Sequence, residues 1–555
     1  MLLSKRVTSR IACSALAVTL MCGVSTAALA ATPRANSDVA DLRAQLEQER
    51  AARAAAEARL QNLADRLTAL EQAAEANTAA QTEQTATVTT LSSTVEALNG
   101  APTVAVSNGR PTFATRDGFF SASLRANVMV DSAYYNQSAP GPIATDLRRG
   151  AGSGDTARAR DLNSGVVFRR ARLGIEGKVF RDFTYNLITE FGGSGTEDAG
   201  RIYEMWVQYN GIPHFALRAG AFEPQNGLGS NVSTSNIMVM ERPAVAEISR
   251  NIAGGDTRTA IQAQWFDNFG VDSGLGGSYT IAAAFTGSPP TSVNSAGGFA
   301  SQAFGEQRSM TGRATIAPTP NPDLLIHLGL NGSYVFSPAD VLGPDASGVN
   351  PVNSQPVQFR DRPELRVDGT RLIDTGSIDA DHAWHYGFEG ALQYRNFVVE
   401  GEYINFGIDR RNSILASPDF SGWYIEGSWV ITGEKRRYNG TNAVFDAPSI
   451  ANPWQPGSGG YGAFELVARY STVDLNFRQG APGTAPAADS IRGGEQTVVA
   501  LGLNWYVNSN LRFMLNYLHV DVDRLSPNAG TFVTPAGAQI GQEFDAVALR
   551  TQFGF

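Results

Sequence analysis

Residues 543–555 constrain the fold more than any other stretch of this chain. Val547, Leu549, Thr551, Phe553 and Phe555 fall on one face, and Ala546, Ala548, Arg550, Gln552 and Gly554 on the other. That period of two belongs to a strand with one apolar and one watered face. A strand of a soluble sheet alternates in the same way, so the rest of the chain has to decide. From Asp117 onward helical periodicity is absent, and short alternating segments are separated by Gly, Asn, Asp, Ser and Pro. Sixteen strands are expected, near residues 119–130, 165–179, 183–191, 201–209, 215–222, 258–269, 278–286, 308–317, 323–336, 384–394, 397–408, 421–432, 462–474, 496–507, 511–522 and 543–555. An even number suits a closed barrel in a membrane.

The connections favour the barrel. Tight turns at 181–182, 210–214, 318–322, 395–396 and 508–510 alternate with long Gly- and Asp-rich loops, which places both ends of the barrel on the short-turn side. Residues 433–461 depart from this pattern, being long where a short turn is due. The terminal Phe-Gly-Phe resembles the carboxy-terminal signature of bacterial outer-membrane proteins.

An arginine on the lipid face at the bilayer midplane costs roughly 2–4 kcal/mol, so charge has to point inward. In the first strand this turns Arg125 and Asn127 inward and Ala122, Leu124, Ala126, Val128 and Val130 outward. In the second, Arg170, Arg172, Glu176 and Lys178 face the lumen. Arg169 breaks parity and belongs to a rim or a bulge. Arg218, Arg258 and Arg313 point inward by the same rule. The loop at 223–257 carries Glu241, Arg242, Glu247 and Arg250 and is long enough to fold into the barrel.

Residues 1–30 read as a secretory signal, with Lys5, Arg6 and Arg10 before an apolar core and Ala28-Leu29-Ala30 as cleavage site. Both cysteines, Cys13 and Cys22, lie within it, so the exported chain would hold no thiol chemistry. Its loss moves the formal charge from −9 to −12, the wrong sign for a nucleic-acid binder. Of 44 basic residues only Lys5, Lys178 and Lys435 are lysines. Guanidinium keeps its charge when partly desolvated and offers a planar fork to oxyanions, which suits an anion path; a GC-rich genome biases composition the same way.

Residues 31–98 are rich in Ala, Leu, Glu, Arg and Gln. Val39, Leu46, Leu60 and Leu67 share one heptad position and Leu42, Ala56, Leu63 and Leu70 the other, with Val88, Leu91, Val95 and Leu98 resuming the register. A coiled-coil periplasmic arm is expected, about 90 Å long, used for self-association or for contact with the cell wall. Residues 99–118 read as a linker, and 119–555 as the barrel.

Several motifs in order resemble the phosphate-selective porin O and P family: Phe168-Arg169-Arg170-Ala171-Arg172-Leu173, Arg181-Asp182-Phe183, Glu241-Arg242, Ile431-Thr432-Gly433-Glu434, Gly462-Ala463-Phe464-Glu465-Leu466, Arg469-Tyr470 and Leu501-Gly502-Leu503-Asn504-Trp505-Tyr506. The resemblance implies a sixteen-stranded trimeric barrel of the outer membrane that passes small anions such as phosphate or chloride. Its pore arginines fall on Arg125 and on Arg169 with Arg170, and its third-strand acid on Glu190. Its third-loop lysines fall near Ser230 and Ser235, so the phosphate-capturing cluster is missing. The expected pore-lining set is Arg125, Arg169, Arg170, Arg172, Arg218, Arg242, Arg250, Arg258 and Glu190, with Glu176, Glu190 and Glu204 opposing the cations.

Two other classes compete with a channel. A barrel enzyme finds little support, because His214, His327, His382, His385 and His519 are scattered and assemble no Ser-His-Asp group. A tether or adhesin, with a closed barrel anchoring the arm, is the second. No cofactor, metal or nucleic acid is expected.

Overall fold

The computed structural model describes residues 37–100, 102–137, 162–193, 200–270, 276–289, 307–339, 341–344, 351–412, 414–457, 459–527 and 536–555. The signal at 1–30 lies outside them. The chain divides near residue 98 into two units. In the first, Ser37–Gly100 is one helix of 64 residues. No Pro or Gly interrupts it before its last residue, and threonines 78, 82, 85 and 89 each donate to the carbonyl four residues earlier. Its leucines at 42, 46, 60, 63, 67 and 70 are exposed, so nothing inside this helix buries the heptad seam.

The second unit corrects the linker reading. Thr103–Ser107 and Arg110–Ala114 pair as a hairpin, which continues into the barrel through Thr112 opposite Ser123 and Ala114 opposite Ser121. Its turn is Asn108-Gly109, both with positive φ (51° and 76°). Asn-Gly is the strongest short hairpin signal, because a type I′ turn matches the twist of its strands.

Sixteen antiparallel strands follow and close on themselves: Ser121–Gln137, Gly165–Val179, Phe183–Glu190, Arg201–Ile212, Phe215–Phe222, Arg258–Phe269, Gly276–Thr286, Arg308–Thr319, Leu324–Ser337, Ile378–Tyr394, Phe397–Arg410, Asp419–Val430, Ala463–Phe477, Ile491–Tyr506, Leu511–Asp523 and Gln542–Gly554. Each pairs with its sequence neighbours, and the last pairs with the first from Phe544↔Gln137 to Gly554↔Asn127. Closure leaves no edge whose backbone groups face lipid unpaired. Leu173, Ile261, Ile281, Leu328, Leu501 and Leu549 stand exposed on the outside, with aromatics such as Trp265, Trp429 and Phe553.

The seam is held by charge as well as by backbone. Arg550 on the last strand faces Asp131 on the first, with Nε and Nη2 at 2.7 Å from its two carboxylate oxygens. Nη2 also reaches Glu241 at 2.7 Å. Both members of the strand pair are buried.

The loop at 223–257 folds into the barrel, as its length predicts. It carries the helices Leu228–Asn231 and Ala244–Arg250 and is mostly buried. Leu228, Met240, Val245 and Ile248 pack with Phe359, Leu365 and Leu372 of a second inward segment, and with wall residues Phe406, Tyr424, Val498 and Met514. From the turn side, residues 433–461 also enter, as a hairpin of Arg436–Asn439 with Val444–Pro448. That explains why a turn there is long.

Replacing Arg550 by Ala deprives the buried Asp131 of its bidentate partner across the seam and removes one of the three arginines that hold Glu241. The change should destabilise the folded barrel by about 3–5 kcal/mol, read as a lowered midpoint of the folded gel form in a urea series.

Candidate functional site

Inside the barrel, arginines fall into two groups. One group is locked. Arg169 makes a bidentate pair with Glu241 at 2.6 and 2.9 Å. Arg242 donates to the carbonyls of Gly229 and Val232 at 2.9 and 2.7 Å. Arg250 reaches Glu223 at 2.7 Å, Glu247 at 3.3 Å and Gly255 O at 3.0 Å. Arg258 donates to Asn251 O and Gly287 O. Arg313 pairs with Glu389, Arg436 with Glu465 and Arg469 with Glu364, all deeply buried.

Glu241 is the hub of this group. Burial would raise its carboxyl, but Arg169, Arg550 and Arg366 outweigh that and hold it well below the ordinary value. A depressed carboxyl stabilises the docked loop fully above its ordinary value and loses that contribution as pH falls through the lowered one.

The second group faces open space. A cavity of about 200 Å³ is lined by Arg125, Arg172, Arg218, Tyr203, Glu204 and Glu223, with Asn and Ser side chains. Arg172 lies 3.4 Å over the Tyr203 ring and pairs with Glu190 at 2.7 Å. Tyr203 reaches the cavity beside Glu204 because a bulge shifts register between Ile188↔Glu204 and Thr189↔Ile202. Arg218 lies 4.3 Å over Trp206 and donates to Gln208 at 2.7 Å. Among the described residues no carboxylate lies within ion-pair distance of it.

The cavity shares Arg125, Ala126, Asn127 and Ser235 with a vestibule of about 1070 Å³ at the turn-side mouth. Asn127 Nδ2 donates to Ser235 Oγ at 2.7 Å where the two meet. Among the described residues, Arg110, Arg125, Arg437 and Arg512 line the vestibule with one acidic side chain, Glu176, and the terminal Phe555. Arg512 is buried, donates to Ser235 O and Ile237 O of the infolded loop and sits 4.5 Å over Tyr506, with Glu465 close enough to offset part of its charge.

The family model for phosphate-selective porin O and P matches residues 149–555. The chain belongs to that family. It is an outer-membrane porin, a channel by family. This porin is 23% identical over 387 residues to Porin O of Pseudomonas aeruginosa, covering 68% of this chain and 80% of that protein. It is 26% identical over 391 residues to an uncharacterised protein of Caulobacter vibrioides, covering 69% of each. The anion-selective porin of Comamonas acidovorans superposes with a TM-score of 0.41 at 13% identity, covering 79% of this chain and 100% of that one.

Of the residues the sequence nominates, Arg125, Arg172 and Arg218 come together as lining of the inner cavity. Arg169 is the extra residue of a bulge, since Met129 pairs with Arg170 and Val130 with Phe168. Arg170 is buried 3.8 Å from Glu190, and Glu190 is itself wholly buried, accepting from Ala171 N and Arg172 Nε. Arg242, Arg250 and Arg258 are corrected from lining to holding, because buried carbonyls and carboxylates of the infolded loop take up their donors. Sequence reasoning missed Arg110, Arg437, Arg512 and Tyr203. Strand parity alone would find Arg512, which alternates inward with Met514 and Asn516.

Arg242→Ala strands two buried carbonyls, at about 1–3 kcal/mol each, and should undock the loop. Single-channel recordings should show a larger, noisier conductance, whereas Arg218→Ala should leave conductance steady.

Proposed function

We propose that this porin is a passive diffusion channel selective for small anions, assembled as a homotrimer, with its amino-terminal arm in the periplasm. The observation that carries the selectivity is the vestibule, where four guanidiniums face one side-chain carboxylate. Cations concentrated in a low-dielectric mouth raise the local anion concentration. Deeper in, Glu223 is taken by Arg250, and Glu204 accepts from Trp206 and Asn186, so acids and arginines nearly balance. Anions are therefore drawn in at the mouth and held weakly beyond it, which permits release.

Ser235 stands on the path where the resemblance expects a lysine, and Ser230 is buried near Glu402. The path thus lacks ammonium charge among these positions, which supports general passage of chloride- and phosphate-sized anions over tight phosphate capture. The exposed heptad leucines of Ser37–Gly100 support self-association of the arm as a coiled coil, in keeping with a trimer.

Planar-bilayer recordings under a KCl gradient test the reading. The reversal potential should lie on the chloride side, and Arg512→Gln with Arg437→Gln should move it toward zero; a potential on the potassium side contradicts it.

A further inference from the structure

We infer that the hairpin ahead of the barrel is part of the permeation path, and that Arg110 at its tip determines selectivity at the turn-side mouth. The inference rests on the anion-channel reading above. The hairpin precedes the residues that match the family, so no family position assigns it a role.

Three side chains form the device. Glu176 accepts from Arg110 through Oε1 and from Arg125 through Oε2, the latter at 2.8 Å. One carboxylate is thus shared by two guanidiniums. Arg125 lies where the vestibule meets the inner cavity and lines both. With Arg110 absent, Glu176 would cancel Arg125 one to one at that junction. With Arg110 present the group keeps a net positive charge, and Arg125 keeps an unspent share of donors for a passing anion.

The hairpin is fixed well enough to do this. Thr112 Oγ1 lies 2.8 Å from Ser123 Oγ, and Asn510 Nδ2 donates to Asn108 O at 2.6 Å and to Gly554 O at 2.8 Å. These bonds tie the hairpin to the first strand and, at its tip, to the turn before the fifteenth strand, which is itself bonded to the last. Asn108, Gly109 and Arg110 then form part of the vestibule wall. Arg110 and Glu176 are each about a third exposed, so water and ions reach the pair.

The test compares chloride-to-potassium permeability ratios in planar bilayers. Arg110→Gln should lower the ratio about two- to threefold, as expected for one charge several ångströms from the path. Arg110→Lys should retain it, and Glu176→Gln should raise it. An anion-selective wild type whose ratio is unmoved by Arg110→Gln overturns the inference and leaves the channel reading standing. An unselective wild type would sink that reading, so the place of the hairpin is also read independently. Every cysteine of the chain lies before residue 30, and Arg110→Cys therefore carries a single thiol in the exported protein. A negatively charged methanethiosulfonate applied from the turn side should reduce its current by a clear fraction. Unchanged current after complete labelling means the hairpin lies off the path.

Discussion

The structure depends on one constraint: in a bilayer every backbone donor and every charge must be satisfied away from lipid. Strand pairing from Ser121–Gln137 round to Gln542–Gly554 meets the backbone half of it. The charge half sends the barrel's arginines inward, where each must either find partners or meet water. Both solutions occur here. Arg169, Arg313, Arg436, Arg469 and Arg550 are paired and buried, whereas Arg110, Arg125, Arg218 and Arg512 border open volume.

The paired group makes the path possible by filling the rest of the lumen. Glu241 draws Arg169 and Arg550 from neighbouring parts of the wall, and Arg366 from another inward segment, onto the loop at 223–257. The loop also meets the turn-side hairpin, through Asn236 Nδ2 to Asp446 Oδ1 at 2.7 Å and Arg436 Nη1 to Asn236 O at 2.9 Å. Apolar side chains such as Met240, Ile248, Leu365 and Phe406 pack behind these contacts. The inward segments thereby leave a small cavity beside Arg125, Arg172 and Arg218, which adjoins the turn-side vestibule.

All sixteen strands were legible because alternation is a local property enforced by lipid on one face. Facing was legible for the same reason, as Leu173 outside and Arg172 inside illustrate. Which inward arginine lines water was not, since that depends on what an infolded loop places opposite it. Arg242 and Arg250 look like filter residues in sequence and prove to be braces. Inward-facing Val498, Leu518 and Val520 were a readable sign that part of the lumen is dry. Asn108-Gly109 was a readable hairpin signal hidden in a stretch rich in other turn residues.

The division between locked and open arginines is tested most directly by crystals soaked in bromide and measured at its absorption edge. The account predicts anomalous peaks in the vestibule beside Arg110, Arg125, Arg437 and Arg512, and none at Arg169, Arg313, Arg436 or Arg469. Bromide beside the paired arginines, or a vestibule that fills with rubidium and excludes bromide, would contradict it.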